Sequence, residues 1–377
     1  MKKRKIVAII ICFTFAISAC GRTENKGENS ISIAADTQQI TNDANSADEM
    51  SFYDFEYDEM NNKLFLLDVD SNNVVEEISV NDTEVIDSYR RLTDGYAVIK
   101  STYSDNMDNV EETNGIVFST GTSEEKDSYK YIIYDDHLQE KEVIDLKGMI
   151  SDELMSEIQE CQSEPAIDPS GHNIAWSTES GIYVLNIKSG KQAFHEIESD
   201  GFSWYEIAFI NENKVGFYRT SGDESVVTRY GYWNLTTDKL LYEDEFDYCP
   251  SLMRVSGEYL VLNDSEDPAT HTSSGKVIIY DCEENQSNIF PVDNIESTFA
   301  CITSDGKNLI AYNCVNSELT DHRIRVYQIS NKQCISETPF STESGVKFYD
   351  FCNMDKTYML IGNGNSGKVI YHAFTAK

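Results

Sequence analysis

Gly362, Gly364 and Gly367 stand at the spacing of a GxGxxG loop, and Lys368 brings the same segment within one residue of GxxxxGK[ST], the pattern that wraps a phosphate. Both chemistries need a helix N-terminus behind the glycines, where unpaired backbone N–H groups meet the anion. The run that follows, KVIYHAF, is strand-forming, and Val369 takes the place of the hydroxyl that would hold magnesium. The segment therefore reads as a glycine-rich connection between strands. Asp68, Asp70 and Asn72 copy the opening of a calcium loop, but Asn73 stands where that loop needs Gly and Ser79 where it needs Glu. A hairpin turn accounts for them. The six histidines, at 137, 172, 195, 271, 322 and 372, form no HxxxH or HExxH pair. The residues single out no catalytic group, no metal site and no cofactor.

The elements that would position a site are easier to read, because one signature recurs seven times. A β-rich run ends in an apolar or aromatic residue followed by a polar one: Leu67-Asp68, Tyr134-Asp135, Leu185-Asn186, Trp233-Asn234, Tyr280-Asp281, Tyr327-Gln328 and Tyr371-His372. Successive polar residues lie 67, 51, 48, 47, 47 and 44 positions apart, and the long first interval coincides with a polar stretch around residues 103 to 127, which reads as one insertion. A turn and another strand follow six of the copies, and a second hairpin precedes most of them. Four strands in about 45 residues is the content of a β-propeller blade. The expected fold is all-β: a propeller of seven four-stranded blades, with six as the alternative, over residues 51 to 377. A strand around Phe52 to Tyr57 is expected to pair with the last unit and close the ring, which removes a free edge. One helix is expected near Ser151 to Cys161, with Leu154, Met155, Ile158 and Cys161 on one face, packed between the second and third blades.

The segment AIDPSGHNIAWSTESGIYVLNIKSGK, residues 166 to 191, resembles the TolB-type, WD40-like propeller repeat, and residues 302 to 334 resemble it in part. The resemblance implies the fold and transfers no function. TolB-type repeats also precede serine peptidase domains, but the GxSxG elbow of those enzymes is absent from this sequence. Trp176, Trp204 and Trp233 fall within strands and are expected in the core.

Ahead of the repeats, Lys2, Lys3, Arg4 and Lys5 precede an apolar run from Ile6 to Ile17 and then Ser18-Ala19-Cys20. This is the three-zone plan of a secretory signal, too short for a permanent membrane span. The small residues before Cys20 resemble the lipobox of bacterial lipoproteins, which implies cleavage before Cys20 and a lipid on its sulfur. Residues 1 to 20 are therefore expected to be a signal peptide, and Cys20 the attachment point. Residues 21 to 50 contain no aromatic and few large aliphatic side chains, too little to offset the entropy of ordering, and read as a flexible polar tether. Seven cysteines remain, at 161, 249, 282, 301, 314, 334 and 352, an odd number without a CxxC pair, which favours buried thiols over a disulfide framework.

The chain holds 65 acidic and 30 basic residues, and loss of the four basic ones in the signal takes the formal charge from -35 to -39. That charge should repel nucleic acid and anionic membrane or wall polymers, so no nucleic-acid partner is expected. On the propeller plan, the loops between second and third strands and between blades share one face. Asp105, Asp108, Glu111, Glu112, Asp223, Glu224, Asp264, Glu266 and Asp267 fall in the strand-two-to-three loops and make that face a candidate surface for a protein, a small ligand or cations. The functional expectation is a lipid-anchored module on the extracytoplasmic side of the cell membrane. It would bind or scaffold a protein or other ligand, touching the membrane through lipid alone. The alternative is an extracytoplasmic glycan-acting hydrolase or lyase with its site at the propeller channel.

Overall fold

The recurring aromatic-polar dipeptide marks the end of a strand and the first residue of a turn. In a computed structural model, the side-chain oxygen of the polar residue caps that turn. Asp135 Oδ1 accepts from the backbone N–H groups of His137 and Gln139, both at 2.9 Å. Asn186 accepts from Ser189 at 2.9 Å, Asn234 from Thr236 and Thr237 at 3.0 Å, and Asp281 from Glu283 and Glu284 at 2.9 and 3.0 Å. A short carboxylate or amide reaching two to four residues ahead makes the turn without a partner strand. The residue before it points inward, and Tyr134, Leu185, Trp233, Tyr280 and Tyr327 are all buried. Four of the turns close on a left-handed residue four positions on, at Gly190, Asp238, Asn285 and Lys332. The period in the sequence is thus a repeated turn with a repeated core anchor.

The structure describes residues 53–58, 63–68, 73–81, 83–103, 110–113, 116–119, 126–161, 164–197, 202–221, 228–246, 252–263, 276–292, 298–303, 305–315, 319–354, 357–363 and 369–375. All of them belong to one unit, Met50–Lys377. The first sheet has three antiparallel strands, β1 (Tyr53–Asp58), β2 (Lys63–Asp68) and β3 (Asn73–Ser79). The second begins with β4 (Glu84–Leu92) and β5 (Gly95–Tyr103). It is interrupted by a separate hairpin, β6 (Val110–Thr113) and β7 (Ile116–Ser119), and completed by β8 (Lys126–Tyr134) and β9 (Glu140–Asp145). Helix α1 (Asp152–Cys161) follows, its start capped by Ser151 Oγ, which accepts from the Leu154 N–H at 3.2 Å.

Four further sheets each run in chain order without crossovers. The third contains β10 (Ala166–Ile167), β11 (Asn173–Ser177), β12 (Gly181–Asn186) and β13 (Gln192–Glu196). The fourth contains β14 (Phe202–Asn211), β15 (Lys214–Ser221), β16 (Thr228–Asn234) and β17 (Lys239–Phe246). The fifth is β18 (Leu252–Ser256), β19 (Tyr259–Asn263), β20 (Lys276–Asp281) and β21 (Gln286–Pro291). The sixth is β22 (Thr298–Ile302), β23 (Asn308–Cys314), β24 (Asp321–Gln328) and β25 (Gln333–Ser341). A three-stranded sheet of β26 (Lys347–Met354), β27 (Thr357–Asn363) and β28 (Val369–Thr375) ends the series.

Each sheet packs on the next. In the fifth, Leu260, Leu262, Ile278 and Tyr280 meet the fourth sheet, while the alternate residues Val261, Val277, Ile279 and Phe290 meet the sixth. A sheet buried on both faces has no solvent side, which is why YLVLN and KVIIYD read as continuous apolar runs. Corresponding clusters join the first sheet to the second, the second to the third, the third to the fourth and the sixth to the seventh. Four-stranded meanders stacked face to face in chain order form the plan of a β-propeller.

The closing strand behaves differently from the sequence expectation. β1 pairs with β2, from Tyr53 opposite Asp68 to Asp58 opposite Lys63. Among the described residues no ladder joins β1 to β28, and β28 pairs with β27. Only four residues separate β1 from β2, so the local hairpin closes a far shorter loop than pairing with the chain's other end. The expected seven four-stranded units are accordingly five four-stranded and two three-stranded sheets among the described residues. The helix lies where expected, with Leu154, Met155 and Ile158 in the core between the second and third sheets. Cys161, Cys282, Cys301, Cys314 and Cys334 carry free thiols; Cys282, Cys301 and Cys314 are buried, whereas Cys334 lies exposed on an outer strand. Trp176 and Trp233 are core residues as expected, and the Trp204 side chain lies outside the description. Among the described residues no helix is long and apolar enough to cross a membrane.

Candidate functional site in the inner channel

The first strands of the second to seventh sheets, β4, β10, β14, β18, β22 and β26, approach one another in succession. They form one edge of the stacked sheets, and Arg90, Glu206 and Arg254 on them are partly buried. Arg90 on β4 donates through Nη1 to the Ile167 carbonyl at 2.6 Å. Burial lowers the Arg90 pKa, and the nearby Asp168 carboxylate opposes that shift. Glu206 on β14 reaches the neighbouring sheet, where its Oε2 accepts from the Met253 N–H at 2.9 Å. The next residue, Arg254 on β18, donates through Nη1 to the Phe351 carbonyl of β26 at 3.3 Å, from the fifth sheet to the seventh. Ser256 Oγ donates to the Ile302 carbonyl at 2.9 Å.

Between these strands lies a cavity of about 320 Å³ lined by Arg254, Val255, Ser256, Gly257, Cys301 and Phe351. Its size is at the small end for ligand sites, and its lining joins the Arg254 guanidinium and the Ser256 hydroxyl to the side chains of Val255, Cys301 and Phe351. Glu206 sits beside this group. Burial pushes its carboxyl up to about 7 and Glu164 adds to the rise, while the Met253 N–H and the Arg254 charge pull the other way.

That shift carries a stability prediction. Between the ordinary carboxyl value and about 7, folded Glu206 holds a proton that the unfolded chain has released. Its contribution to stability is therefore complete below the ordinary range and is lost as pH rises toward 7. Glu206→Gln keeps an acceptor for the Met253 N–H and removes the buried charge. We expect this variant to exceed the wild type in urea stability at pH 8 by up to about 3 kcal/mol, with the difference shrinking toward pH 5. Equal stability at both pH values would contradict the burial of this carboxylate.

Asp105, Asp108, Asp223, Glu224, Asp264, Glu266 and Asp267 lie outside the described residues. Glu111 and Glu112 fall within β6, opposite Phe118 and Val117, and their side chains lie outside the description. Cys20 and the whole of residues 1 to 52 also lie outside it, as do residues 364 to 368 of the glycine-rich segment. Among the described residues no group of His, Cys, Asp and Glu is arranged to hold a metal ion. His322 is instead a core residue, between the Tyr312 hydroxyl at 2.9 Å and the Thr342 hydroxyl at 2.7 Å. The residues that line or flank the cavity were not read from the sequence. Isolated charges in apolar first strands, Glu206 in WYEIAFI and Arg254 in LMRVS, are the signal that marks them.

No protein-family model matches this chain, and no curated protein matches it. Solved structures do. Hydrazine synthase of Kuenenia stuttgartiensis is similar at 11% identity and a TM-score of 0.50 over 84% of this chain and 90% of that one. The β-propeller domain of the Trilobed protease from Pyrococcus furiosus, described as having an open velcro topology, is similar at 12% identity and a TM-score of 0.47, over 79% of this chain and 83% of that one. Acylaminoacyl peptidase of Pyrococcus horikoshii is similar at 10% identity and a TM-score of 0.47, covering 77% of this chain. This chain spans less than half of that peptidase, 44% of its length. At these identities the likeness concerns the fold.

Proposed function

We propose that this protein is an exported β-propeller, tethered to the extracytoplasmic side of a membrane by lipid on Cys20, that retains a ligand in its inner channel. The observation that carries the binding role is the cavity between β18, β22 and β26, with the Arg254 guanidinium in its wall. A fixed cation in the wall of a small cavity binds and orients an anionic small molecule. The lipid anchor rests on the signal-like N-terminus and the lipobox-like residues before Cys20. In this reading the sheets form seven blades, the terminal three-stranded pair completing the ring by packing.

One observation favours an enzyme as the second reading. A buried carboxyl such as that of Glu206, pushed up to about 7, is in the range suited to general acid–base chemistry. The two readings separate on Glu206→Gln, which abolishes turnover in an enzyme and leaves capture intact in a binding module.

The anchor is tested by Cys20→Ser in the native host. The variant should leave the membrane fraction, lose incorporation of labelled fatty acid and keep the wild-type melting temperature. A membrane-bound, unlabelled wild type would overturn the lipid assignment. The binding role is tested by thermal shift against a panel of small metabolites, with wild type and Arg254→Gln side by side. A ligand at about 100 times its Kd stabilises the folded state by about 3 kcal/mol, so a true ligand raises the wild-type midpoint by several degrees and leaves the variant unmoved. Equal shifts in both proteins would remove Arg254 from the binding role.

A further inference from the structure

The seventh sheet is held to the sixth by rings as well as by aliphatic side chains. His322 on β24 and Phe340 on β25 are cross-strand partners in the sixth sheet, and their rings stack with centroids 4.9 Å apart. His372 on β28 reaches the same phenyl ring from the seventh sheet, 3.9 Å away and inclined by only 7°. Phe348 on β26 meets His322 edge-on at 5.2 Å and Phe340 at 5.8 Å. Two imidazoles therefore share one phenyl ring across a sheet boundary. The seventh sheet enters that contact through both its first and its last strand.

The two imidazoles are held differently. His322 Nδ1 lies 2.9 Å from the Tyr312 hydroxyl and Nε2 lies 2.7 Å from the Thr342 hydroxyl. A hydroxyl can donate or accept, so both contacts survive a proton on that ring. His372 is held by stacking, and among the described residues its ring makes no hydrogen bond. A charge placed on it is removed from water and gains no acceptor. The other titratable groups on the surrounding elements are Tyr312 and Cys314 on β23, Asp321 beside His322 and Glu343 beside Thr342. Burial holds both imidazoles below the ordinary histidine range. At His322 the nearby His372 adds to the fall, while Asp321 and the Leu319 backbone oppose it.

We propose that the His322–Phe340–His372 stack is an acid-sensitive latch, which fastens the seventh sheet to the sixth while both rings are neutral and loosens when they take up protons. The protons come from solvent, and no covalent bond forms or breaks. Two neighbouring imidazolium charges repel, and the way to hydrate them is for β28 to move away from Phe340. Opening one three-stranded sheet is a local event, below global unfolding in free energy. The cavity between β18, β22 and β26 takes Phe351 from this sheet, so release of the latch slackens one of its walls. The latch does not depend on what that cavity holds.

Above about 6.5 the rings are neutral in the folded and in the opened chain, and the latch contributes in full. As pH falls from there toward the lowered folded values, the opened chain takes up protons first, and that contribution is lost.

Hydrogen exchange of the mature full-length protein, read by mass spectrometry at pH 7.5 and pH 5.5 and corrected for the intrinsic pH dependence of exchange, tests the latch. Wild-type peptides covering β26 to β28 should lose about tenfold in protection at pH 5.5, the change that one pKa unit supplies. Peptides from the third sheet should keep theirs. His372→Phe keeps a ring against Phe340 and carries no titratable group, so it should retain the pH 7.5 protection at pH 5.5. His372→Gln should be less protected in β26 to β28 at both values and show little pH step, so the test stands even if the larger phenyl ring does not fit. Wild-type protection that does not fall in β26 to β28, or that falls equally in every sheet, overturns the latch. A pH step of wild-type size in both variants also overturns it.

Discussion

Replacing Trp176 by Ala is expected to lower the unfolding free energy by about 3–5 kcal/mol, the range for truncating a large aromatic in a packed core. Trp176 on β11 has no exposed surface, and it stands in the cluster that joins the second sheet, helix α1 and the third sheet. Its Nε1 donates to the Tyr129 hydroxyl at 2.8 Å, and the two rings lie 6.4 Å apart. Truncation opens a cavity and leaves a buried hydroxyl without its donor. Trp176→Phe separates the two effects, because it retains most of the ring and deletes the donor, and should cost about 1–3 kcal/mol. Denaturant melts of both variants read the difference. A Trp176→Ala loss below about 1 kcal/mol would mean that the second and third sheets are not packed on each other through this residue.

Asp168→Ala should be as damaging, for a different reason. Asp168 is fully buried in the turn between β10 and β11. Its Oδ1 accepts from the His172 and Asn173 N–H groups at 2.7 and 3.1 Å, and its Oδ2 from Asn173 Nδ2 and Ser170 Oγ at 2.7 and 2.9 Å. Alanine removes the acceptor of four partly buried donors at once, and it also removes the anion that favours the charged form of Arg90. Loss of one partner from a buried charged network costs about 3–5 kcal/mol. Asp168→Asn should recover only part of this, because its amide nitrogen faces donors on either side. Measured by urea melts, a neutral Asp168→Ala would show that the turn is held by its backbone alone. In the sixth sheet Thr303 does the same work more weakly, with its Oγ1 accepting from the Asn308 N–H at 3.0 Å, so Thr303→Ala is the milder counterpart.

These two residues show how far the sequence could be read. Asp168 opens the DPSGHN turn of the best-matching repeat, and its role follows from the chemistry of a carboxylate reaching its own backbone. Trp176 lies on the strand that follows, and its burial follows from the continuous apolar run around it. The period itself was legible because four units cap the turn with a short Asp or Asn, at Asp135, Asn186, Asn234 and Asp281, and set a large buried residue just before it. The ends were harder to read. A strand such as Tyr53–Asp58 carries no mark of its partner, and the short loop to Lys63 decided its pairing with β2.

The channel site was not legible for a related reason. Arg254, Cys301 and Phe351 come from three different sheets, and no spacing in the sequence records that they share one cavity. Glu206 and Arg254 are 48 residues apart, about one repeat, so the fold brings them to neighbouring first strands. A single charge in an inner strand is informative only once the strand is known to be inner. The acidic loops, by contrast, are conspicuous in composition, and what they bind depends on placement that composition does not carry.

The claim that joins architecture to function is that the first strands of a closed series of sheets hold a ligand at Arg254. The direct measurement is a crystal structure of the mature chain grown with the metabolite that raises the wild-type midpoint and leaves Arg254→Gln unmoved. The account predicts a ring of seven blades with that metabolite within hydrogen-bonding distance of the Arg254 guanidinium, inside the cavity between β18, β22 and β26. A structure in which that cavity stays empty while the metabolite occupies another site, or in which Arg254 lies away from the cavity, would contradict it.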